Sequence, residues 1–182
     1  MQEIEVKFLN INVADLVTKL ESLGAQKVGD FNYRRQVMDF PGFTLDKKGA
    51  WLRIRDEGEK IIVAYKQRQG WEEAGVSGKD TGMKEIELEV NSFEQAINMF
   101  TELGMVNKHY VENKRNRYVL SGVEFDIDYW PMLEPYLEIE AKSKEEIDKA
   151  IELLGYNKDE AKVFSTAQIY ELNGINQIEY EK

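Results

Sequence analysis

Residues 3–7 read Glu3-Ile4-Glu5-Val6-Lys7, and the tripeptide Glu-Ile-Glu returns at Glu85-Ile86-Glu87 and at Glu138-Ile139-Glu140. In each copy charged and apolar residues alternate, the period-2 pattern of a strand with one wet and one dry face. Each copy runs on to a helix start, at Asn12 (or Asn10), Ser92 or Ser143. Each helical segment then closes in Leu-Gly, at Leu23-Gly24, Leu103-Gly104 and Leu154-Gly155. Ser92 with Gln95, and Ser143 with Glu146, have capping-box spacing, in which the cap hydroxyl and the third side chain satisfy orphan amide groups. Apolar residues follow at helical spacing: Val13, Leu16, Leu20, Leu23; Phe93, Ile97, Phe100, Leu103; Ile147, Ile151, Leu154. The closing glycines suit the left-handed position just past a helix. The chain therefore reads as a strand–helix unit used three times, and each amphipathic helix needs an apolar surface to cover.

The strands supply that surface. Ile4, Val6 and Phe8 share one face, as do Leu52 and Ile54, then Ile86, Leu88 and Val90, then Phe125, Ile127 and Tyr129, then Leu137 and Ile139. Residues 28–40, 60–66 and 107–120 also read as extended, being rich in Val, Ile, Tyr and Phe between turn-like Gly and Asn. Strands outnumber helices and many follow one another closely, which predicts an antiparallel α+β protein. No Gly-rich strand-to-helix turn of the nucleotide-binding kinds is present. Residues 70–82 hold four glycines among polar residues and read as a loop. Residues 173–182 read as a C-terminal tail, leaving one domain over residues 1–172.

Composition bounds the function. The 182 residues are 42% hydrophobic and 11% aromatic, enough for a real core. A chain of this size buries about 70% of its unfolded surface. Thirty-four acids against 24 bases give a formal net charge of -10, which argues against nonspecific nucleic-acid or anionic-membrane binding. Cysteine is absent, which excludes disulfides, thiolate metal sites and cysteine nucleophiles. The single histidine, His109, excludes any site that needs two. No run of about 18 apolar residues exists, and the first ten residues read as structure rather than as a signal peptide. A cytoplasmic location is expected.

The wet faces of the strands carry the chemistry. Opposite the apolar stripe stand Glu3, Glu5 and Lys7; Arg53 and Arg55; Lys66; Glu85, Glu87 and Glu89; Arg115 and Arg117; Asp126 and Asp128; and Glu138, Glu140 and Lys142. A merely solvated face would tolerate Thr, Ser, Gln and Asn. Here acids and bases are grouped by strand instead. Arg53-x-Arg55 sets two like charges about 7 Å apart on one face, an arrangement that an anion would relieve. Closing the sheet into a barrel would turn this face inward. Charges at that density must be paired, hydrated or bound to ions. Carboxylates suit Mg²⁺ or Mn²⁺, and Arg and Lys suit phosphate oxygens.

Taken in order, these residues resemble the CYTH family, the triphosphate tunnel metalloenzymes. Glu3-x-Glu5-x-Lys7 matches the family's Glu-x-Glu-x-Lys opening. The likeness continues through Leu52-Arg53-Ile54-Arg55, Lys66, the Glu85/Glu87 strand, the basic strand at Arg115, Asp126 and Leu137-Glu138-Ile139-Glu140. It spans about residues 2–171. The resemblance implies a closed eight-stranded antiparallel β-barrel with amphipathic helices packed outside. It also implies a divalent-metal-dependent enzyme, using Mg²⁺ or Mn²⁺, that acts on a triphosphate in the lumen. By similarity, Glu3, Glu5, Asp126, Glu138 and Glu140 are the metal-binding acids. Lys7, Arg53, Arg55, Lys66, Arg115 and Arg117 are the triphosphate clamp, and Glu3, Glu5 and Lys7 are placed at the catalytic centre. Glu85 and Glu87 serve a second metal or hold the clamp. Two positions depart from the pattern: Asn113 stands where Lys is frequent, and Lys84 where Arg is common. The C-terminal third, through Leu154-Gly155-Tyr156, Ser165 and Tyr170-Glu171-Leu172, is most similar to class IV adenylyl cyclases, which convert ATP to cyclic AMP and pyrophosphate. The alternatives are a triphosphatase acting on inorganic triphosphate, thiamine triphosphate or a nucleoside triphosphate, and a non-catalytic polyphosphate- or nucleotide-binding module. A small triphosphate is the expected partner, with no nucleic acid or membrane; a homodimer is left open.

The remaining candidates have plainer readings. His109 is a surface or packing residue. Trp51 shares the parity of Arg53 and Arg55 and suits either packing or stacking on a base or thiamine ring. Trp71 is an exposed loop residue or part of a lid. Of Arg34 and Arg35, only one can face the basic row.

Overall fold

The computed structural model describes residues 4–68 and 83–176, and in it the alternating segments are strands and the helix-period segments are helices. In chain order these are β1 (Ile4–Phe8), α1 (Val13–Ser22), β2 (Gln26–Asp39), β3 (Ala50–Asp56), β4 (Ile61–Arg68), β5 (Met83–Val90), α2 (Phe93–Glu102), β6 (Val106–Leu120), β7 (Val123–Tyr129), β8 (Tyr136–Ala141), α3 (Lys144–Leu154) and α4 (Thr166–Leu172). The strands form one eight-stranded sheet in the order β1-β8-β7-β6-β2-β3-β4-β5. The strand registers are antiparallel. Among the described residues no hydrogen-bonded ladder joins β1 to β5, so the architecture is an eight-stranded antiparallel sheet with four helices. Contacts group the chain into two units, one drawn from the segments up to Asn32 and from Asn113 onward, the other from Tyr33–Glu112.

In the first unit the dry faces predicted from sequence form the core. Phe8, Phe125, Ile127, Leu137 and Ile139 pack with Leu16 and Leu20 of α1 and Ile147, Ile151 and Leu154 of α3. The helices begin where their caps place them. The Asn12 side chain accepts from the backbone N–H groups of Ala14 and Asp15 at 3.0 and 3.2 Å, and Ser143 accepts from Glu146 N–H at 3.2 Å. Glu146 in turn accepts from Lys142 N–H at 3.0 Å. Gly155 closes α3 at φ 78, where a Cβ would be strained. The helix α4 was not anticipated from sequence. Its signal is present all the same: Ser165 and Gln168 form a complete capping box.

In the second unit α2 lays Phe93 and Ala96 on Met38, Leu52, Ile54 and Val63. Ser92 caps it, accepting from Gln95 N–H at 3.2 Å. Between β2 and β3 the buried Asp39 carboxylate accepts from the N–H groups of Phe40, Leu45 and Asp46 at 2.7, 2.9 and 3.0 Å. That one side chain fixes the turn that sets β3 against β2.

The structure corrects one expected core face. Ile86 and Leu88 are 52% and 63% exposed, although their alternation in β5 predicts burial. Among the described residues β5 pairs only with β4, and of its apolar side only Val90 packs against the core of the second unit. Residues 70–82, with Trp71, lie outside the described residues.

Candidate active site

The charged faces of β1, β8, β7 and β6 meet in cross-strand rows within the first unit. Glu5 lies opposite Glu140, and Glu140 opposite Glu124. Lys7 lies opposite Glu138, Glu138 opposite Asp126 and Asp126 opposite Arg117. Asp128 lies opposite Arg115. Directly opposed residues of antiparallel strands share a face and interact, so the alternation read from sequence is what builds this cluster.

Two rows are internally compensated. Lys7 Nζ sits 2.6 Å from Glu5 Oε1 and 3.0 Å from Glu138 Oε2. Arg117 donates Nε and Nη2 to the two oxygens of Asp126, both at 2.7 Å, and Nη1 lies 2.8 Å from Glu124. Arg115 donates Nε and Nη2 to Asp128 at 2.7 and 2.6 Å, Nη1 to Asp126 at 2.5 Å and Nη2 to Glu138 at 3.3 Å. Asp126 and Asp128 are each 1% exposed. Burial by itself would lower the pKa of all three cations. The surrounding carboxylates outweigh it: Glu138 and Glu5 raise Lys7, Asp128 leads for Arg115 and Asp126 for Arg117.

The row Glu5–Glu140–Glu124 is different, because it opposes acid to acid. Carboxylate oxygens of Glu124, Asp126 and Glu140 all lie within 4.8 Å of one another. Like charges directly opposite are destabilising, and hard oxygen donors at this density suit a divalent cation. Six carboxylates of this cluster, Glu5, Glu124, Asp126, Asp128, Glu138 and Glu140, stand against three cations, Lys7, Arg115 and Arg117. Among the described residues this cluster is therefore rich in acid. Each carboxylate offers about four lone-pair sites, so Asp126 can keep its arginines and still face a cation.

The cluster of the second unit sets a basic row on β3 and β4 against acids of β5. Arg53 lies opposite Ala64, and Ala64 opposite Glu87; Trp51 lies opposite Lys66, and Lys66 opposite Glu85. Lys66 Nζ is 2.5 Å from Glu85, and Arg55 pairs with Glu57. Arg53 makes no ion pair among the described residues, and its Nε is buried without a hydrogen-bond partner. Burial first, and then Arg55 beside it, push the Arg53 guanidinium down to about 10. Burial and then Arg53 lower Lys66. Burial and the neighbouring Glu85 raise Glu87, while Lys66, working against burial, lowers Glu85.

Of the residues expected from sequence, Glu5, Lys7, Arg115, Arg117, Asp126, Glu138 and Glu140 come together in the first unit. Arg53, Arg55, Lys66, Glu85 and Glu87 come together in the second. Glu3 lies outside the described residues. Asp128, read from sequence on the charged face, joins the first cluster, and Arg35 is the member of the Arg34-Arg35 pair that joins the second. Glu124 and Glu57 belong to these clusters without having been expected there. Parity finds Glu124 and Asp128, since both alternate with Asp126 along β7. Glu57 lies beyond the end of β3, where alternation gives no signal. Asn113, at the place where Lys is frequent, is buried with its Oδ1 unpartnered among the described residues. Lys114 is exposed and β6 runs in register without a bulge, so Lys114 does not replace it.

A family model of the CYTH domain matches residues 1–168. The chain belongs to the CYTH domain family. No protein with a curated description matches it. Solved structures share the CYTH chain's fold. PH1012 from Pyrococcus horikoshii OT3 is 26% identical and aligns with a TM-score of 0.71 over 96% of this chain and 99% of its own. A protein from Vibrio parahaemolyticus described as a candidate adenylate cyclase is 11% identical, with a TM-score of 0.73 over 94% and 98%. HpAC1 from Hippeastrum, described as having a dominant triphosphatase activity, is 14% identical, with a TM-score of 0.62 over the whole of both chains. At those two identities the likeness to this CYTH chain is one of fold.

Proposed function

We propose that this CYTH protein is a divalent-metal-dependent enzyme that cleaves a triphosphate, most similar to class IV adenylyl cyclases. The observation that carries the reading is the segregation of charge: a cluster rich in carboxylates in the first unit, and in the second a row of arginines in which Arg53 makes no ion pair among the described residues. A merely solvated sheet face gives neither. The closed barrel, the single functional domain over residues 1–172 with its tail at 173–182, and the cytoplasmic location implied by the family are part of the same proposal. The family match over residues 1–168 supports it. No helix among the described residues is long and apolar enough to cross a membrane.

Glu124, Asp126 and Glu140 are the residues that fit a Mg²⁺ or Mn²⁺ ion, with Glu5 opposite Glu140 on β1. Such an ion would neutralise charge that builds on phosphate oxygens as the phosphorus–oxygen bond breaks. The protein's own groups do the rest. Arg53, Arg55 and Lys66 bind phosphate oxygens and hold the chain in line. Lys7, kept charged by Glu138 and Glu5, places a fixed positive charge at the acidic cluster. In the cyclase reaction the ribose 3′-oxygen bonds to the α-phosphorus, its proton passes to water, and pyrophosphate leaves. Trp51, half-buried beside Lys66 in the register, offers an aromatic face for the base. Hydrolysis is the second reading, favoured by the acid row itself, which also suits a site that orders water.

Product analysis tests this. Purified protein is incubated with ATP, inorganic triphosphate or thiamine triphosphate and Mg²⁺ or Mn²⁺, with Glu5→Ala as the control for contaminants. Cyclic AMP with pyrophosphate establishes the cyclase. Orthophosphate with a diphosphate product establishes a triphosphatase. Binding without turnover rejects both in favour of a binding module.

A further inference from the structure

Arg34 and Arg35 are adjacent in β2, so their side chains leave opposite faces of the strand. Arg34 lies opposite Asp56, donates Nε and Nη2 to it at 3.1 and 2.5 Å, and reaches Glu94 at 3.2 Å while lying over the Phe93 ring. Arg35 lies opposite another arginine, Arg55. The two guanidinium carbons sit 5.1 and 5.4 Å from the centroid of one aromatic ring, Tyr33. Arg35 is only 7% exposed, so it is held in place rather than extended into solvent.

Two cations directly opposite on neighbouring strands repel. Arg53 adds a third guanidinium, roughly 7 Å along the strand from Arg55, with its Nε buried and without a partner among the described residues. Cation–π contact with Tyr33 holds Arg35 and Arg55 in a fixed geometry. That leaves less side-chain freedom to lose when an anion arrives. The three roots form a triangle rather than a line, since Arg35 is displaced across the strands and Arg53 along them. A single phosphate cannot occupy all three corners; a chain of phosphates can.

We propose that Arg35 is a specificity-determining residue of the anion site, a third guanidinium that selects a polyphosphate chain over a single phosphate. This rests on the reading of the second unit's basic cluster as the triphosphate site. Tyr33 is its positioning residue, acting through Arg35 and Arg55.

The test is calorimetric titration of the full chain with inorganic tripolyphosphate, pyrophosphate and orthophosphate. It compares the parent with Arg35→Lys, Arg35→Gln and Arg53→Ala, each checked for an unchanged fold by circular dichroism. The expected result is that both Arg35 variants lose about tenfold or more in tripolyphosphate affinity and much less for orthophosphate. Lysine fails to restore the loss because it lacks the planar fork. Unchanged tripolyphosphate affinity in both Arg35 variants, with binding lost in Arg53→Ala, overturns the role of Arg35 and leaves the triphosphate site standing. A parent that binds no tripolyphosphate overturns the site and the inference together. If the Arg35 variants do not fold, a crystal structure of the parent with tripolyphosphate decides. A phosphate oxygen within hydrogen-bond distance of the Arg35 guanidinium supports the role, and its absence overturns it.

Discussion

Arg53 and Asp126 show how differently two charged residues of one sheet can be held. Arg53 has a buried Nε with no partner among the described residues, whereas both oxygens of Asp126 are taken by arginines. Arg53→Ala is expected to weaken triphosphate binding by about tenfold or more, from loss of charge-assisted bonds, and to affect orthophosphate far less; titration of both ligands checks this. Asp126→Asn should instead cost stability, about 2–3 kcal/mol, because it removes charge-assisted bonds to Arg115 and Arg117 that Asp128, Glu138 and Glu124 replace only in part; urea unfolding measures it. His109 supplies a pH dependence. Burial, and then Lys108 beside it, hold its pKa down to about 4 from 6.5. Between those values the unfolded chain binds a proton that the folded chain refuses. Stability is therefore lost as pH falls from 6.5 through 4, by about 2–3 kcal/mol at this side chain. Unfolding curves at pH 7, 5.5 and 4.5 should show a shallower loss in His109→Gln than in the parent.

The helices and turns were legible where a local rule fixes them, and less so where neighbours decide. Asn12, Ser92 and Ser143 cap α1, α2 and α3 as their spacing predicts, because capping depends on residues a few positions apart. Ser143→Ala should lower stability by about 1 kcal/mol. Asp39→Ala should lower it by about 2–4 kcal/mol, since one carboxylate answers three backbone donors; denaturant titration ranks the two. Alternation located Lys7, Arg53, Arg115 and Asp126 on their faces, but it cannot say which partner each meets. Register does that, and register is a property of strand pairs. For the same reason Ile86 and Leu88 looked like core: their alternation is correct, yet among the described residues they stay exposed. The pair Arg34-Arg35 resisted reading because adjacent charges leave parity undetermined until Asp56 and Arg55 are seen opposite them.

For the protein as a whole, a ligand that binds only the folded state adds stability by mass action, about 2.7 kcal/mol at a hundredfold excess over its dissociation constant. Triphosphate with Mg²⁺ should therefore raise the melting temperature by several degrees, at about 2–4 °C per kcal/mol for a chain this long. No shift at millimolar ligand, read by scanning calorimetry, would count against the triphosphate site. The linked charges from Glu5 through Lys7, Glu138, Arg115 and Asp126 to Arg117 have a further consequence, for warm and cold conditions. Taking ions out of water carries a penalty that shrinks as temperature rises, because the hydration of charged groups becomes less favourable. Hydrophobic packing gains no such advantage on heating. The buried ionic network should thus hold its share of the stability best near the upper end of the protein's working range. Cooling is the condition under which it contributes least.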